Sequence, residues 1–168
     1  VGSEMCIRDS IYRLRLAGDT SAITAPGQFV NLKLSGFFLR RPISVCDWSD
    51  GELTLIYKVL GHGTEAMTGM AVGTELDALT GLGNGFDMSR GGEHPLLVGG
   101  GVGIPPLYGL AKRLTAQGKR VTAVMGFNRK TEIFLAEEFR ALGAEVVIAT
   151  ADGSAGIHGL VTDGMAAV

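Results

Sequence analysis

Four glycines within five positions, Gly99, Gly100, Gly101 and Gly103, interrupt the apolar run in LLVGGGVGIPPLYGLAKRL. A glycine turn that follows a strand and opens a helix lets backbone N–H groups approach a pyrophosphate, where the helix dipole favours an anion. Val102 lies inside the turn, and Pro105 and Pro106 fall where helical N–H groups have no intrahelical acceptor anyway. The turn reads G-x-G-x-x-P rather than the G-x-G-x-x-G of the common dinucleotide fold. Tightening a turn alone would take one glycine. A second stretch, Arg41-Pro42-Ile43-Ser44, offers a planar cationic fork for phosphate, a stiffened chain and a small hydroxyl against which a flat ligand could lie. Taken by itself, that string also reads as a solvated arginine at the start of an edge strand. A third, Ile56-Tyr57-Lys58-Val59, runs into a glycine turn ending in Gly63 and Thr64, whose amides could form an anion-binding nest.

Other chemistries are poorly supplied. His62, His94 and His158 are scattered with no H-E-x-x-H pattern, so no metal site is expected. DGSAG is not a nucleophile elbow, and Glu137 and Glu138 read as a solvated helix face, so no catalytic side chain is assigned. Cys6 and Cys46 form neither a C-x-x-C pair nor a disulfide framework, which suits a reducing cytoplasm. A net charge of -2 without a Lys/Arg cluster gives no field for nucleic acid. Residues 95–111 carry no charge, but five glycines and three prolines within them argue against a membrane span.

The elements that must hold these motifs change character along the 168 residues. IYRLRL, FVNLKL, RPISVCDW, ELTLIYKVL and ELDALTGL alternate apolar and polar residues between turns, which predicts a small antiparallel barrel or sandwich over 11–92. From 93 to 168 the pattern becomes strand, loop, helix. PLLVGG, RVTAVMGF and AEVVIAT are strands, PLYGLAKRLTAQG a helix ended by Gly118, and TEIFLAEEFRALG a helix capped by Thr131. That order predicts a parallel α/β sheet, with the division within SRGGEH. The opening VGSEMCIRDS lacks the basic-then-apolar order of a signal peptide and resembles translated sequencing adapter. Residues 1–10 are therefore set aside as a non-native leader.

Taken in order, Arg41-Pro42-Ile43-Ser44, Ile56-Tyr57-Lys58-Val59, Gly63-Thr64, GLGNGF and GGGVGIPP resemble the ferredoxin-reductase superfamily. Within it, LLVGGGVGIPPLYGLAKRL, VMGFNRKTEIFLAEEF and ATADGSAGIHGLVTD are similar to the electron-transfer subunits of class B dihydroorotate dehydrogenases, over residues 11–168. The resemblance implies FAD on the barrel, with Arg41 near its pyrophosphate, Ser44 against the isoalloxazine, Ile56, Tyr57 and Lys58 contributing from the next strand, and Gly63 and Thr64 holding phosphate. It implies NADH on the second domain, its pyrophosphate near Gly100 to Gly103 and its nicotinamide beside the flavin. Gly126, Phe127, Asn128 and Asp152, at the ends of the second and third strands, then lie on the ligand side of the sheet.

In that family the flavin passes electrons to a [2Fe–2S] cluster and on to the catalytic FMN subunit of a cytoplasmic heterotetramer that makes orotate for pyrimidine (UMP) synthesis. The cluster's four cysteines belong to a C-terminal extension, so the expectation here is a C-terminally incomplete chain. Two other readings stay open: another NAD(P)H-dependent ferredoxin- or sulfide-reductase flavoprotein, and a cofactor-free binding domain of the same fold. The choice between NADH and NADPH also stays open, because Arg129 and Lys130 follow the second strand and could meet a 2′-phosphate.

Overall fold

Period-two alternation becomes a sheet in the first half of the chain. In β3 (Phe29–Lys33) Val30 and Leu32 are fully buried while Lys33 is exposed, as expected when one face of a pleated strand meets a core. The structure, a computed structural model, describes residues 1–8 and 10–168. It comprises two units, Val1–Phe86 and Asp87–Val168, divided just before SRGGEH.

The first unit is a six-stranded antiparallel sheet of β1 (Ser3–Arg8), β2 (Ile11–Ala17), β3, β4 (Arg41–Ser49), β5 (Glu52–Lys58) and β6 (Asp77–Leu82), in the order β1-β2-β5-β4-β3-β6. Its interior is filled by Leu14, Val30, Leu32, Val45, Leu55 and Tyr57, with Met67 from the short helix α1 (His62–Met67) inserted among them. Gln28, only 6% exposed, ties the loop before β3 to the end of β6. Its Oε1 accepts from the Thr24 and Ala25 amides at 2.7 and 3.0 Å, and its Nε2 donates to the Gly81 and Gly83 carbonyls at 3.2 and 3.1 Å.

The sequence reading set residues 1–10 outside the fold, whereas the structure pairs Ser3–Arg8 with β2 from Ser3↔Arg15 to Arg8↔Ile11. An edge strand needs only an open neighbour to bond to, and β2 supplies one. At the start of β1, the Val1 amino group donates to the Thr74 carbonyl (2.7 Å) and the Gly73 amide to the Val1 carbonyl (2.9 Å), drawing the two sheet edges towards each other.

The second unit is a parallel sheet of β7 (Leu96–Gly100), β8 (Thr122–Phe127), β9 (Glu145–Thr150) and the short β10 (Ile157–His158), ordered β10-β9-β8-β7. Helix α2 (Pro105–Ala116) joins β7 to β8, and α3 (Ala136–Ala141) joins β8 to β9. The register places Gly99 beside Met125 and Gly100 beside Gly126, so alternate residues share a face. One face meets α2, where a Cβ on Gly99 would press on Leu107 at 2.8 Å. The other meets α4 (Val161–Met165), whose Gly164 has room for a Cβ only 2.7 Å from Val124. Helices on both faces explain why these strands read as unbroken apolar runs. Among the described residues no helix is long and apolar enough to cross a membrane; residues 95–111 divide into β7, the glycine turn and α2.

Helix α2 ends as expected, with Gly118 at φ 79° donating to the Thr115 carbonyl. The second helix differs from expectation. Thr131 caps nothing; it lies in a 3-10 turn, Lys130–Glu132, and α3 starts only at Ala136 after Leu135 at φ 62°. Between them Phe134 packs edge-on against Phe127 (5.8 Å), and burying both rings outweighs the helical periodicity of the segment.

Candidate functional site

Arg40 lies just before β4 and Arg41 is its first residue, and the two arginines of LRRPIS part company. Arg40 forks onto Asp77 of β6, with Nη2 to Oδ2 at 2.8 Å and Nη1 to Oδ1 at 3.1 Å, and Nη1 also donates to the Asn31 carbonyl at 3.2 Å. It fastens β3, β4 and β6, and its guanidinium holds the Asp77 carboxyl below the usual carboxylate range. Arg41 carries its guanidinium 5.0 Å from the centre of the Phe37 ring and donates to the Leu39 carbonyl. On another side lies Gly63, where a Cβ would overlap the Arg41 Nε. The structure thus brings two separate sequence motifs together: the bare backbone of Gly63 in α1 is what leaves room for the Arg41 fork. Met67, fully buried in the barrel, anchors α1 in that place.

The loop entering α1 is shaped by Thr64. Its hydroxyl donates to the Gly61 carbonyl and accepts from the Leu60 amide, both at 3.0 Å. These two bonds make the Thr64 hydroxyl the closure of the turn that enters α1. The donors left to a ligand are main-chain: helical bonding begins with the Glu65 amide on Gly61, so the first-turn amides before it have no helical acceptor.

Ser44 and Pro42 share the outer face of β4 with their β3 partners Phe29 and Asn31, while Ile43 opposes Val30 on the inner side. Asn31 Oδ1 is buried without a hydrogen-bond partner, an acceptor left over on this face. The side chains near the end of β5 are packed on both faces. Tyr57 is 2% exposed inside the barrel, stacked on Tyr12 (5.9 Å), and its hydroxyl donates to Glu4 Oε1. Burial and that hydrogen bond push the phenol far above its ordinary value, and burial raises the Glu4 carboxyl as well. Ile56 is 3% exposed on the other face. The side chains of Ile56 and Tyr57 are therefore packing groups, and only Lys58 and Val59 at the strand's end are part-exposed.

In the second unit the phosphate-type turn is well formed. Gly101–Gly103 make a single 3-10 turn closed by the Ile104 amide on the Gly101 carbonyl (3.1 Å), and Pro105 then opens α2. Gly101 has φ 50°, and a Cβ on Gly101 or Gly103 would enter open space, so the main chain is bare on its outer side. With no N–H on Pro105 and Pro106, the amides of Gly101, Val102 and Gly103 are the donors at this end of β7.

The neighbouring strand ends divide by role. Gly126 lies near the carboxyl end of β8, and a Cβ there would lie 2.9 Å from Val161, so its bareness also seats α4. Phe127 is 7% exposed and packs on Phe134. Asn128 and Asp152 do lie at the carboxyl ends of β8 and β9, where parallel sheets bind ligands, and the Asp152 amide on the Asn128 carbonyl (3.1 Å) joins their loops. Asp152 Oδ1 accepts from the Ser154 hydroxyl (2.6 Å) and amide (2.9 Å), which hold its carboxyl below its ordinary value. Phe37 and Glu132 were not singled out from sequence; an aromatic beside RR and an acid three residues after Arg129 were the available signals. Among the described residues no group of three or more His, Cys, Asp or Glu could hold a metal ion.

No family model matches the chain. Among curated proteins it is 44% identical over 171 residues to the dihydroorotate dehydrogenase B (NAD(+)), electron transfer subunit, of Bacillus caldolyticus, covering 97% of this chain and 66% of that protein. It is 46% identical to the subunit of the same name from Geobacillus sp. (strain WCH70), covering 94% of this chain and 64% of that protein. The chain thus spans less than two thirds of the length of these relatives. Among solved structures, an NADH-dependent reduced ferredoxin-NADP oxidoreductase studied for flavin-based electron bifurcation matches with a TM-score of 0.87 and 31% identity, over 98% of this chain and 60% of that one. The FAD/NAD-binding domain of a nitric oxide dioxygenase from Vibrio cholerae shares the fold, with a TM-score of 0.78 and 22% identity over 95% of this chain and 76% of that one.

Proposed function

Because the chain belongs to the family of dihydroorotate dehydrogenase B electron-transfer subunits, we propose that it binds FAD on its first unit and NADH on its second and passes reducing equivalents from one to the other. The observation that carries this reading is the Arg41 guanidinium held between the Phe37 ring and the bare backbone of Gly63. It is a cradle for a phosphate group at the start of the strand that carries Ser44. The residues fit FAD: a cationic fork and first-turn amides for the pyrophosphate, and Pro42, Ser44 and the unsatisfied Asn31 Oδ1 on one face for a polar, planar ring. Bound FAD supplies the two-electron acceptor for hydride from NADH.

The chain's own residues bind and orient. Arg41 and the amides at the start of α1 neutralise and fix the flavin nucleotide's pyrophosphate. Gly101, Val102 and Gly103 offer N–H groups to the dinucleotide's pyrophosphate at the head of α2, and Asn128 and Asp152 line the same edge of the sheet. No side chain need donate or accept a proton, consistent with the lack of any assigned acid or base; positioning and exclusion of water carry the rate.

A [2Fe–2S] cluster does not fit residues 1–168. Their cysteines are Cys6, exposed on β1, and Cys46, buried in the barrel, and no ligand group surrounds either among the described residues. The onward path of the electrons is therefore not built from these residues. We propose as partner the FMN-containing subunit that oxidises dihydroorotate, in the reducing cytoplasm that two free thiols suit. The higher identity to the subunits named for that enzyme than to the ferredoxin-NADP oxidoreductase favours this partner over a ferredoxin.

Calorimetric titration with FAD tests the reading, with one site per chain expected; a protein that stays colourless after incubation with FAD is instead a cofactor-free domain of the same fold. Gly101→Val is expected to raise KM for NADH about tenfold or more while bound FAD is retained, since it adds bulk on the open side of the turn and strains a φ of 50°. Loss of flavin instead, measured by absorbance after gel filtration, would mean that the two nucleotides belong on the opposite units.

A further inference from the structure

We infer that Glu132 makes this protein select NADH over NADPH. The inference rests on the proposed binding of a nicotinamide dinucleotide at the glycine turn. With its pyrophosphate at Gly101 to Gly103, such a ligand runs along the carboxyl edge of the sheet, and its adenosine ribose reaches the end of the next strand, β8. The residues there are Asn128, Arg129, Lys130 and Glu132. In sequence, Arg129 and Lys130 look like a site for a 2′-phosphate.

Side-chain geometry reverses that impression. The Glu132 carboxylate takes the Asn128 Nδ2 at 2.8 Å on one oxygen and the Arg129 Nε at 3.1 Å on the other. Its side chain is 27% exposed against 64% for Arg129, so the guanidinium is drawn onto a sheltered anion. Burial alone would raise the Glu132 carboxyl, but the hydrogen bonds from Asn128 and Arg129 outweigh it and keep the group ionised at neutral pH. Arg129 also feels the carboxylate of Asp152, on the loop after β9. The Lys130 amide donates to the Ser154 hydroxyl at 2.7 Å, which pins the two loops together around these charges.

Two cations and two carboxylates leave this edge without a net positive field. A dianionic 2′-phosphate arriving here meets an ionised carboxylate and an arginine already engaged. A ribose 2′-hydroxyl, by contrast, can donate to either Glu132 oxygen, since each carboxylate oxygen accepts more than one hydrogen bond. The same carboxylate therefore welcomes the diol and repels the phosphate.

The test measures kcat/KM for NADH and for NADPH with FAD-loaded protein and ferricyanide as electron acceptor. Wild type is expected to prefer NADH. Glu132→Gln keeps the shape, removes the charge and releases Arg129, and is expected to raise the NADPH-to-NADH ratio about tenfold or more, chiefly through KM for NADPH. Adding Arg129→Ala to that variant is expected to abolish the gain. Wild type that oxidises NADH, paired with a Glu132→Gln ratio within about twofold of wild type, overturns the inference alone. Wild type that carries FAD but oxidises neither nucleotide overturns the functional reading and this inference with it.

Discussion

Alanine at position 63 is expected to weaken FAD binding roughly ten- to 150-fold, the equivalent of losing a charge-assisted hydrogen bond worth about 1.5–3 kcal/mol, while the barrel unfolds at nearly its wild-type temperature. Alanine is a better helix former than glycine, so α1 itself gains from the change. The new methyl would overlap the Nε and Nη2 of Arg41. Those atoms end a flexible side chain, so the guanidinium moves aside at small cost to the fold and leaves the phosphate cradle. Arg41→Ala is expected to cost the same. Because both act through one group, the double variant should bind FAD no more weakly than either single one. Fluorescence titration with FAD reads all three. Affinity unchanged in Gly63→Ala would remove Arg41 from the flavin site.

Phe139→Ala is expected to destabilise the second unit by about 3–5 kcal/mol. The ring is fully buried and meets Tyr108 edge-on at 5.5 Å. Helix α3 spans only Ala136–Ala141, too short to persist on propensity, and Phe139 is its largest buried side chain. The first unit has its own core of Leu14, Val30, Leu32 and Leu55. Scanning calorimetry should therefore show the loss in one transition, with FAD retained by the variant while reduction by NADH fails at the lower temperature. A cost under about 1 kcal/mol would mean that α3 is held by something other than this ring.

Much of the fold was legible because alternation reports burial directly. FVNLKL gave β3 with Val30 and Leu32 inward, and two prolines and Gly118 bounded α2. Period two yields two faces without saying what covers each, so the burial of Tyr57 is not legible from the pattern. Leu53, Leu55 and Tyr57 share a parity that fills the barrel. The second helix was misjudged for a different reason. Phe134 finds its partner in Phe127, across a turn whose course no local pattern encodes.

Glycine was the least transparent residue. Gly63, Gly101 and Gly126 look alike in sequence, yet one makes room for an arginine, one keeps a turn bare and one seats a helix. Likewise nothing in RRPIS tells which arginine clamps β6 and which lies against α1. Arg40 is claimed by Asp77, 37 residues away, and Arg41 by the backbone of α1. Long-range partners decide these roles, and a local pattern does not contain them.

On the proposed function, one chain holds both nucleotides and moves electrons between them. Its most direct test is anaerobic addition of NADH, one equivalent at a time, to the FAD-loaded protein. The absorbance of oxidised flavin is expected to fall in proportion to NADH added, with the endpoint at one NADH per FAD. Flavin that binds tightly but stays oxidised in excess NADH would contradict it.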